Sequence, residues 1–197
     1  MALFSWSIST FKISLAVATD SHRLSQRVIP LESAKDLSYN IVIPGKSLTE
    51  LSKLLDDSLE EVKVGVSDNQ ILFVTKETRF YSRLLEGNYP ETDRLIPDNA
   101  TTEITLDAET LLGAIVRASL LSHEGKNNVV KLTADENQLQ ITGNSPEVGF
   151  VQEDVSYVKF EGEEISISFN PDYLKQALNT FGSGEIKMKL ISTLRPF

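Results

Sequence analysis

The chain has 197 residues, 41% hydrophobic and 24% charged, and is long enough for one large domain or two modest ones. It has no run of about 18 apolar residues, which argues against a membrane-spanning helix, and no cysteine, which excludes disulfides and thiolate metal sites and fits a reducing cytoplasm. The formal net charge of −9 argues against nucleic-acid binding through overall positive charge, so such a role needs a local basic face or a geometric means of retention.

The first predicted elements are strands, an amphipathic helix and a hairpin. A strand is predicted in "FKISLAVATDS", residues 11–21, and another in "YNIVIPG". The second strand leads into a helix with Leu48, Leu51, Leu54 and Leu55 on its apolar side. The alternating runs "EEVKVGVS" and "ILFVTKE" flank the turn "DNQ", which predicts a β-hairpin.

The stretch "FYSRLLEGNYPETDRLIP", residues 80–97, is predicted to begin as a strand and to end as a connector. Its first six residues alternate, and a Gly-Asn pair then marks a turn. Tyr89, Leu95 and Ile96 are unusual in a simple connector, and its prolines make it stiffer than a Gly- or Ser-rich tether. We interpret residues 91–99 as a rigid linker between two domains.

Two later stretches repeat the order of strand, helix and antiparallel strand. In "TEITLDAETLLGAIVRASLLS", Asp107 is the predicted N-cap of a helix. The apolar stripe of that helix comprises Leu111, Leu112, Ile115 and Ala118. The runs "NVVKLTA" and "LQITGNS" follow, separated by the turn "DENQ". In "EISISFNPDYLKQALNTF", Asn170 is the predicted cap and Pro171 the first helical residue, and a strand "EIKMKLIS" comes next.

These repeats predict an α+β fold in which each unit combines an amphipathic helix with antiparallel strands. The turns "SDNQILF" and "DENQLQI" match in both hairpins, which supports the repeat. We expect both ends of the chain to leave a sheet edge without a pairing partner. Such an edge favours pairing with another copy or with further chain.

Catalysis has little support in the sequence. Asp20, Ser21 and His22 are the residue types of a hydrolase triad, but neighbours on an extended chain point in alternate directions. Adjacent acids at 56–57, 60–61 and 163–164 are typical of solvated turns and strand starts. With two histidines and no cysteine, we expect no transition-metal site, no other cofactor and no enzymatic activity.

Four motifs, taken in order, carry a resemblance to a known family. They are "VATDSHRLS" (17–25), "FYSRLLEGNYPETDRLIP" (80–97), "ISFNPDYL" (167–174) and "STLRPF" (192–197). Together they resemble the bacterial DNA sliding clamp, the beta subunit of DNA polymerase III, in the form found in low-GC Gram-positive bacteria. The resemblance covers almost the whole chain from about residue 11, and residues 1–10 match it poorly.

The resemblance implies a DNA-clamp fold, with helices on one side of antiparallel sheets. It identifies 1–90 as part of the second clamp domain and 100–197 as the third domain without its last strands. The full-length form would be a cytoplasmic, nucleoid-associated homodimeric ring around duplex DNA, with three domains in each subunit. It would be a non-catalytic accessory subunit that keeps a DNA polymerase on its template. Its partners would be the replicative polymerase's catalytic subunit, the clamp loader, and repair and translesion polymerases.

The resemblance also implies a peptide-binding cleft between the second and third domains. An apolar floor with a few polar groups suits a short linear peptide. The residues carried over by motif are Thr19, Ser21, His22, Arg23, Leu24, Pro90, Arg94, Leu95, Asn170, Tyr173, Leu194 and Pro196. Without the resemblance, "TDSHRL" is interpreted as an ordinary strand end and turn.

The helices of the family face the DNA, which suggests four phosphate-contacting cations. Lys46 and Lys53 lie seven residues apart on the first helix, away from its leucines, and Arg117 lies opposite the apolar stripe of the second helix, with Lys126 in the loop that follows. Ordinary solvated cations explain the same pattern. The alternative function is a stand-alone peptide-binding module that forms no ring.

Overall fold

The computed structural model describes residues 3–9, 13–30, 39–56, 61–87, 89, 92, 95–96, 99–123 and 128–192. The chain divides into two compact units, Met1–Thr92 and Asp93–Phe197. Both contain helices and antiparallel sheets, so the predicted α+β class is confirmed.

Unit 1 contains seven strands and one helix among its described residues. Their bounds are β1 Leu3–Ser9, β2 Ile13–Thr19, β3 Leu24–Pro30, β4 Tyr39–Pro44, α1 Gly45–Ser52, β5 Lys63–Val66, β6 Gln70–Val74 and β7 Arg79–Arg83. One antiparallel sheet has the order β3-β2-β1-β4, and a second has the order β5-β6-β7. The core is a small cluster of Ile43, Leu51, Ile71 and Phe73, with Leu48 and Leu55 packed against it.

Two predictions for unit 1 need correction. No strand was predicted in residues 1–10, yet β1 lies in the middle of its sheet and pairs with both β2 and β4. Leu54 was placed on the apolar side of the helix, but α1 ends at Ser52 and the Leu54 side chain is 48% exposed. The helix is therefore two turns long and buries only Leu51 fully.

Unit 2 contains the larger core. Its elements are β8 Thr102–Asp107, α2 Ala108–His123, β9 Val130–Ala134, β10 Leu139–Ser145, β11 Gly149–Asp154, β12 Lys159–Gly162, β13 Ile165–Phe169, α3 Pro171–Phe181 and β14 Glu185–Leu190. One sheet has the order β11-β10-β9-β13 and the other the order β12-β8-β14. Among described residues β14 pairs with β8 alone, so it lies at the edge of its sheet.

Local sequence signals explain where the helices of unit 2 begin. The Asp107 carboxylate accepts hydrogen bonds from the backbone N–H and the hydroxyl of Thr110, each 2.8 Å long, as expected of an N-cap. Asn170 caps α3 through a 2.9 Å hydrogen bond from the Asp172 N–H, and Pro171 is the first helical residue. Of the predicted stripe of α2, Leu111, Ile115 and Ala118 are fully buried and Leu112 is half-buried.

The two units share a sheet order that reflects the sequence repeat. In unit 1, β4 pairs with β1 and leads into α1. In unit 2, β13 pairs with β9 and leads into α3 in the same way. The orders β3-β2-β1-β4 and β11-β10-β9-β13 are therefore equivalent. In unit 1, candidate binding residues lie in the β2–β3 turn. In unit 2, candidate binding residues lie at the start of α3.

Candidate peptide-binding site

The turn between β2 and β3 brings five of the predicted site residues together. Thr19 at the end of β2 pairs with Leu24 at the start of β3, so residues 20–23 form a four-residue loop. Ser21, His22 and Arg23 are exposed at its tip. Ser21 has a φ of 75°, in the left-handed region that a residue with a side chain adopts at a cost of about 1 kcal/mol. Such strain persists only where the surroundings fix the backbone.

The Asp20 carboxylate fixes this turn. One of its oxygens accepts hydrogen bonds from the backbone N–H groups of His22 and Arg23, both 3.2 Å long. The other accepts a 3.0 Å hydrogen bond from Nε of Arg23. One carboxylate therefore holds both the backbone of the loop and the guanidinium that was predicted to contact a peptide. Asp20 was not among the predicted site residues.

Thr19 completes the loop from its other side. Its hydroxyl donates a 2.8 Å hydrogen bond to the Arg23 carbonyl and accepts a 3.3 Å hydrogen bond from the Ser21 N–H. The role of Thr19 is thus to hold the turn, with a half-buried side chain. A loop whose side chains satisfy its own backbone needs little reordering when a ligand binds, which lowers the entropic cost of binding.

These contacts set the electrostatics of the turn. Partial burial raises the pKa of the Asp20 carboxyl, but the hydrogen bonds from the His22 and Arg23 amides and from the Arg23 guanidinium outweigh it, so the pKa lies below the ordinary 3.8. Asp20 is therefore ionised at neutral pH and pairs with a cation at the tip of the turn. The same geometry argues against a catalytic triad, because the Asp20 oxygens bond to backbone amides and to a guanidinium.

Tyr89 ties the segment after β7 to the strand that leads into this turn. Its hydroxyl donates a 3.3 Å hydrogen bond to the carbonyl of Val17, a residue of β2 whose side chain is buried. Burial raises the pKa of the Tyr89 phenol. The unusual tyrosine of the predicted connector thus has a structural role within unit 1.

The other connector residues are described only in part. The Leu95 side chain is 56% exposed and that of Ile96 is 40% exposed, so both offer apolar surface to solvent. Pro90 and Arg94 lie outside the described residues, as do Leu194, Pro196 and Lys126.

In unit 2, Asn170 and Tyr173 lie together at the start of α3. The Asn170 side-chain oxygen accepts from the Asp172 N–H and, at 3.4 Å, from the amide of Asn128. The same Asn128 amide donates a 2.7 Å hydrogen bond to the Asp172 carboxylate. The capping role takes the oxygen of Asn170, which leaves its amide nitrogen as the group suited to a ligand. The Tyr173 ring beside it is half-buried.

The cations predicted to face DNA differ in their surroundings. Lys46 is exposed on α1, whereas Lys53 directly follows the helix and forms a 2.9 Å ion pair with Glu50. Arg117 on α2 forms a 2.9 Å ion pair with Glu153 on β11. That contact raises the pKa of Arg117 and lowers the pKa of Glu153. Arg117 and Lys53 would have to leave these carboxylates to contact a phosphate, which makes them weaker candidates than Lys46.

Among the described residues, no group of three or more His, Asp or Glu side chains lies close enough together to hold a metal ion. No helix in the described part of the chain is long and apolar enough to cross a membrane.

Family models match both units in order. Residues 4–91 match the model of the DNA polymerase III beta subunit, central domain, and residues 93–197 match the model of the C-terminal domain of the same subunit. The first match begins within β1, at residue 4. The prediction that residues 1–10 match the family poorly was therefore wrong for residues 4–10.

Individual relatives agree with these matches. The beta sliding clamp of Bacillus subtilis is 48% identical over 193 residues, which are 98% of this chain and 51% of that protein. The crystal structure of the Bacillus subtilis DNA polymerase sliding clamp superposes with a TM-score of 0.94 at 47% identity, covering 99% of this chain and 51% of that one. The beta subunit of Streptococcus pyogenes gives 0.92 at 43% identity, over 98% and 52% of the two chains. The chain thus spans about half the length of these relatives, and it belongs to the family of DNA polymerase III beta subunits, the bacterial sliding clamps.

Proposed function

We propose that this chain is part of a sliding clamp that holds a DNA polymerase on its template. The clamp is a non-catalytic accessory subunit, and in its full-length form it is a homodimeric ring around duplex DNA in the cytoplasm. Residues 1–90 supply part of the second domain, 91–99 the linker, and 100–197 most of the third domain. Two consecutive clamp-domain matches over this length support the assignment.

The observation that carries the proposal is the preorganised turn at residues 19–24. Its backbone is held by Asp20 and Thr19, while His22 and Arg23 remain exposed at the tip. A linear peptide loses chain entropy on binding, so a receptor wall that is already ordered favours its capture. By the family resemblance, this turn in unit 1 and Leu95, Asn170 and Tyr173 in unit 2 are the described candidates for binding the clamp-binding peptides of the polymerase, the clamp loader and the repair polymerases.

The acidic balance of the chain fits a clamp that retains DNA by enclosure. With a net charge of −9 the whole chain repels a phosphate backbone, so tight binding to DNA through its surface is disfavoured. A ring needs only loose contacts, such as one from Lys46, to guide the duplex. Weak contacts of this kind carry no sequence information and permit sliding.

Peptide titration tests the cleft. A fluorescent peptide copied from the clamp-binding segment of a polymerase should bind saturably, and Arg23→Ala or Leu95→Ala should each weaken it about fivefold, the change that a loss of about 1 kcal/mol produces. Arg27→Ala removes an exposed cation from the same hairpin, and Val158→Ala removes a 70% exposed side chain from unit 2, so these are the matched controls. Failure to saturate, or losses equal to the controls, contradicts the cleft.

A topology experiment separates the clamp from a stand-alone peptide module. The full-length protein that carries this chain should remain on nicked circular DNA after loading and should be released when the circle is cut. Equal retention on circles and linear fragments, with peptide binding intact, would favour the stand-alone module.

A further inference from the structure

One strand of unit 1 presents a cation, an aromatic ring and a second cation on its outward face. The side chains of β7 alternate, with Phe80 and Ser82 turned to the inside and Arg79, Tyr81 and Arg83 exposed. Tyr81 is 59% exposed, the most of any large hydrophobic side chain described in this unit. Along a strand, alternate residues are separated by about 7 Å, so the three groups form a regular row.

The inner side of the strand that carries this row is packed. On that side Phe80 packs against Phe73, its cross-strand neighbour on β6, with ring centroids 6.4 Å apart. Phe73 belongs to the core cluster and Phe80 packs against that cluster. Across the sheet, the register places Val74 beside Arg79, Leu72 beside Tyr81 and Gln70 beside Arg83. The backbone under the row is thus held by pairing with one neighbouring strand, β6, and by a packed inner face.

The outward face of this sheet is cationic in an acidic chain. Its eight positions carry three cations and no carboxylate: Lys63, Gly65, Gln70, Leu72, Val74, Arg79, Tyr81 and Arg83. Lys63 contacts Glu61 at 3.9 Å, whereas Arg79 and Arg83 form no ion pair with any described residue. By contrast, Arg23 and Arg117 are both paired with carboxylates. Two guanidiniums on one strand that have no ion-pair partner among the described residues suit an anionic ligand with regularly spaced charges.

We propose that this outward face, the β5–β7 platform, binds single-stranded nucleic acid. A base stacks on the Tyr81 ring while the phosphates on either side of it lie against Arg79 and Arg83. A duplex keeps its bases stacked on one another and has none to offer the ring, which favours an unpaired strand. An acidic peptide would pair with the guanidiniums but would give the exposed ring no specific partner. The platform shares no residue with the predicted peptide cleft, so either one can fail without the other.

Fluorescence anisotropy with a labelled oligothymidylate of about 15 nucleotides tests the platform at low salt. The chain should bind it weakly and saturably. Tyr81→Leu should weaken binding at least fivefold, the lower limit expected for the loss of one base–aromatic stack. Arg79→Ala combined with Arg83→Ala should weaken it by at least as much and reduce the salt dependence, d log K/d log [salt], by about 1.4, or 0.7 for each phosphate contact.

The matched control removes the same chemistry elsewhere. Arg27→Ala with Lys131→Ala deletes two exposed cations outside the platform, and Phe150→Leu replaces a 63% exposed ring in unit 2. These variants should bind as the unsubstituted chain does. If they weaken binding as much as the platform variants, overall charge explains the binding and the proposal is wrong.

An abasic oligonucleotide of the same length separates stacking from charge. It should bind more weakly than oligothymidylate and should not distinguish Tyr81→Leu from the original chain. Equal binding of the abasic strand, or tighter binding of a glutamate-rich peptide that competes for the platform, would overturn the proposal. So would a lack of saturable binding at low salt in a chain whose thermal unfolding is unchanged.

Discussion

Gly143→Ala should destabilise unit 2 by roughly 3 kcal/mol and lower its Tm by roughly 10–20 °C. Gly143 lies in β10, buried against α2, and a Cβ there would overlap the carbonyl oxygen of Ala118 and lie 3.1 Å from its carbonyl carbon. The obstacle is helix backbone, so the strain is relieved only if α2 moves off the sheet. Calorimetry of the chain and hydrogen exchange at β10 and α2 measure the effect.

Gly113→Ala is the matched control, because it makes the same substitution in the same unit. A Cβ at Gly113 would lie 3.2 Å from Nη1 of Arg117, the movable end of an exposed side chain. Removing a glycine from the interior of α2 should therefore stabilise the unit by about 0.5–1 kcal/mol. A Tm change of the same sign in both variants would contradict the view that the packing distance between α2 and β10 depends on Gly143.

The contrast between these glycines shows why the sequence predicts some features and not others. Asp107, Asn170 and Pro171 act on residues within three positions of themselves, so the starts of the helices could be predicted. The close approach of Gly143 to Ala118 joins residues that are distant in sequence, and no local pattern marks it. Leu54 was misplaced for a related reason, since its spacing fits the helical stripe but α1 ends before it.

The candidate site shows the same limit. Its turn residues and Leu95 were found by motif, and the structure places five of them on one loop. The position of Asp20 within "TDSHRL" does not show that its carboxylate faces inward to the loop backbone, because that depends on the left-handed φ of Ser21. The same applies to Arg117, whose ion pair with Glu153 joins α2 to a strand that was not predicted. Arg23 and Arg117 were identified from the sequence as site residues, whereas their ion-pair partners Asp20 and Glu153 were not.

Local alternation also explains the β5–β7 platform. The period of "RFYSR" requires that Arg79, Tyr81 and Arg83 share a face, and the burial of Phe80 and Ser82 decides that this face is the outer one. A sheet that packs one side on a core must present the other to solvent or to a ligand. The Arg-Tyr-Arg row, which forms no ion pair with any described residue, therefore follows from the alternation of the strand.

Asp20→Ala should weaken the binding of a clamp-binding peptide roughly tenfold, more than the loss of Arg23 alone. The substitution removes the acceptor for two loop amides and for the Arg23 guanidinium together, so the backbone and the cation both lose their fixed positions. Asp20→Asn keeps an acceptor for the amides but loses the charge, and its effect should be intermediate. Asp68→Ala, in the β5–β6 turn, removes an equal charge and should leave affinity unchanged.

The pH dependence provides a test that a general loss of stability would not reproduce. In the folded chain the pKa of the Asp20 carboxyl lies below 3.8. The stabilisation that its ionised form gives the turn is therefore complete above that value, and it is lost as the pH falls through the lowered pKa. The Asp20 contribution to peptide affinity should thus be constant from about pH 8 to pH 5, with Asp20→Asn weaker by the same factor throughout. A ratio that changes in this range would contradict an ionised Asp20 as the residue that positions Arg23. So would an Asp20→Ala variant that binds the peptide as tightly as the original chain, because the turn would then be ordered by Thr19 alone.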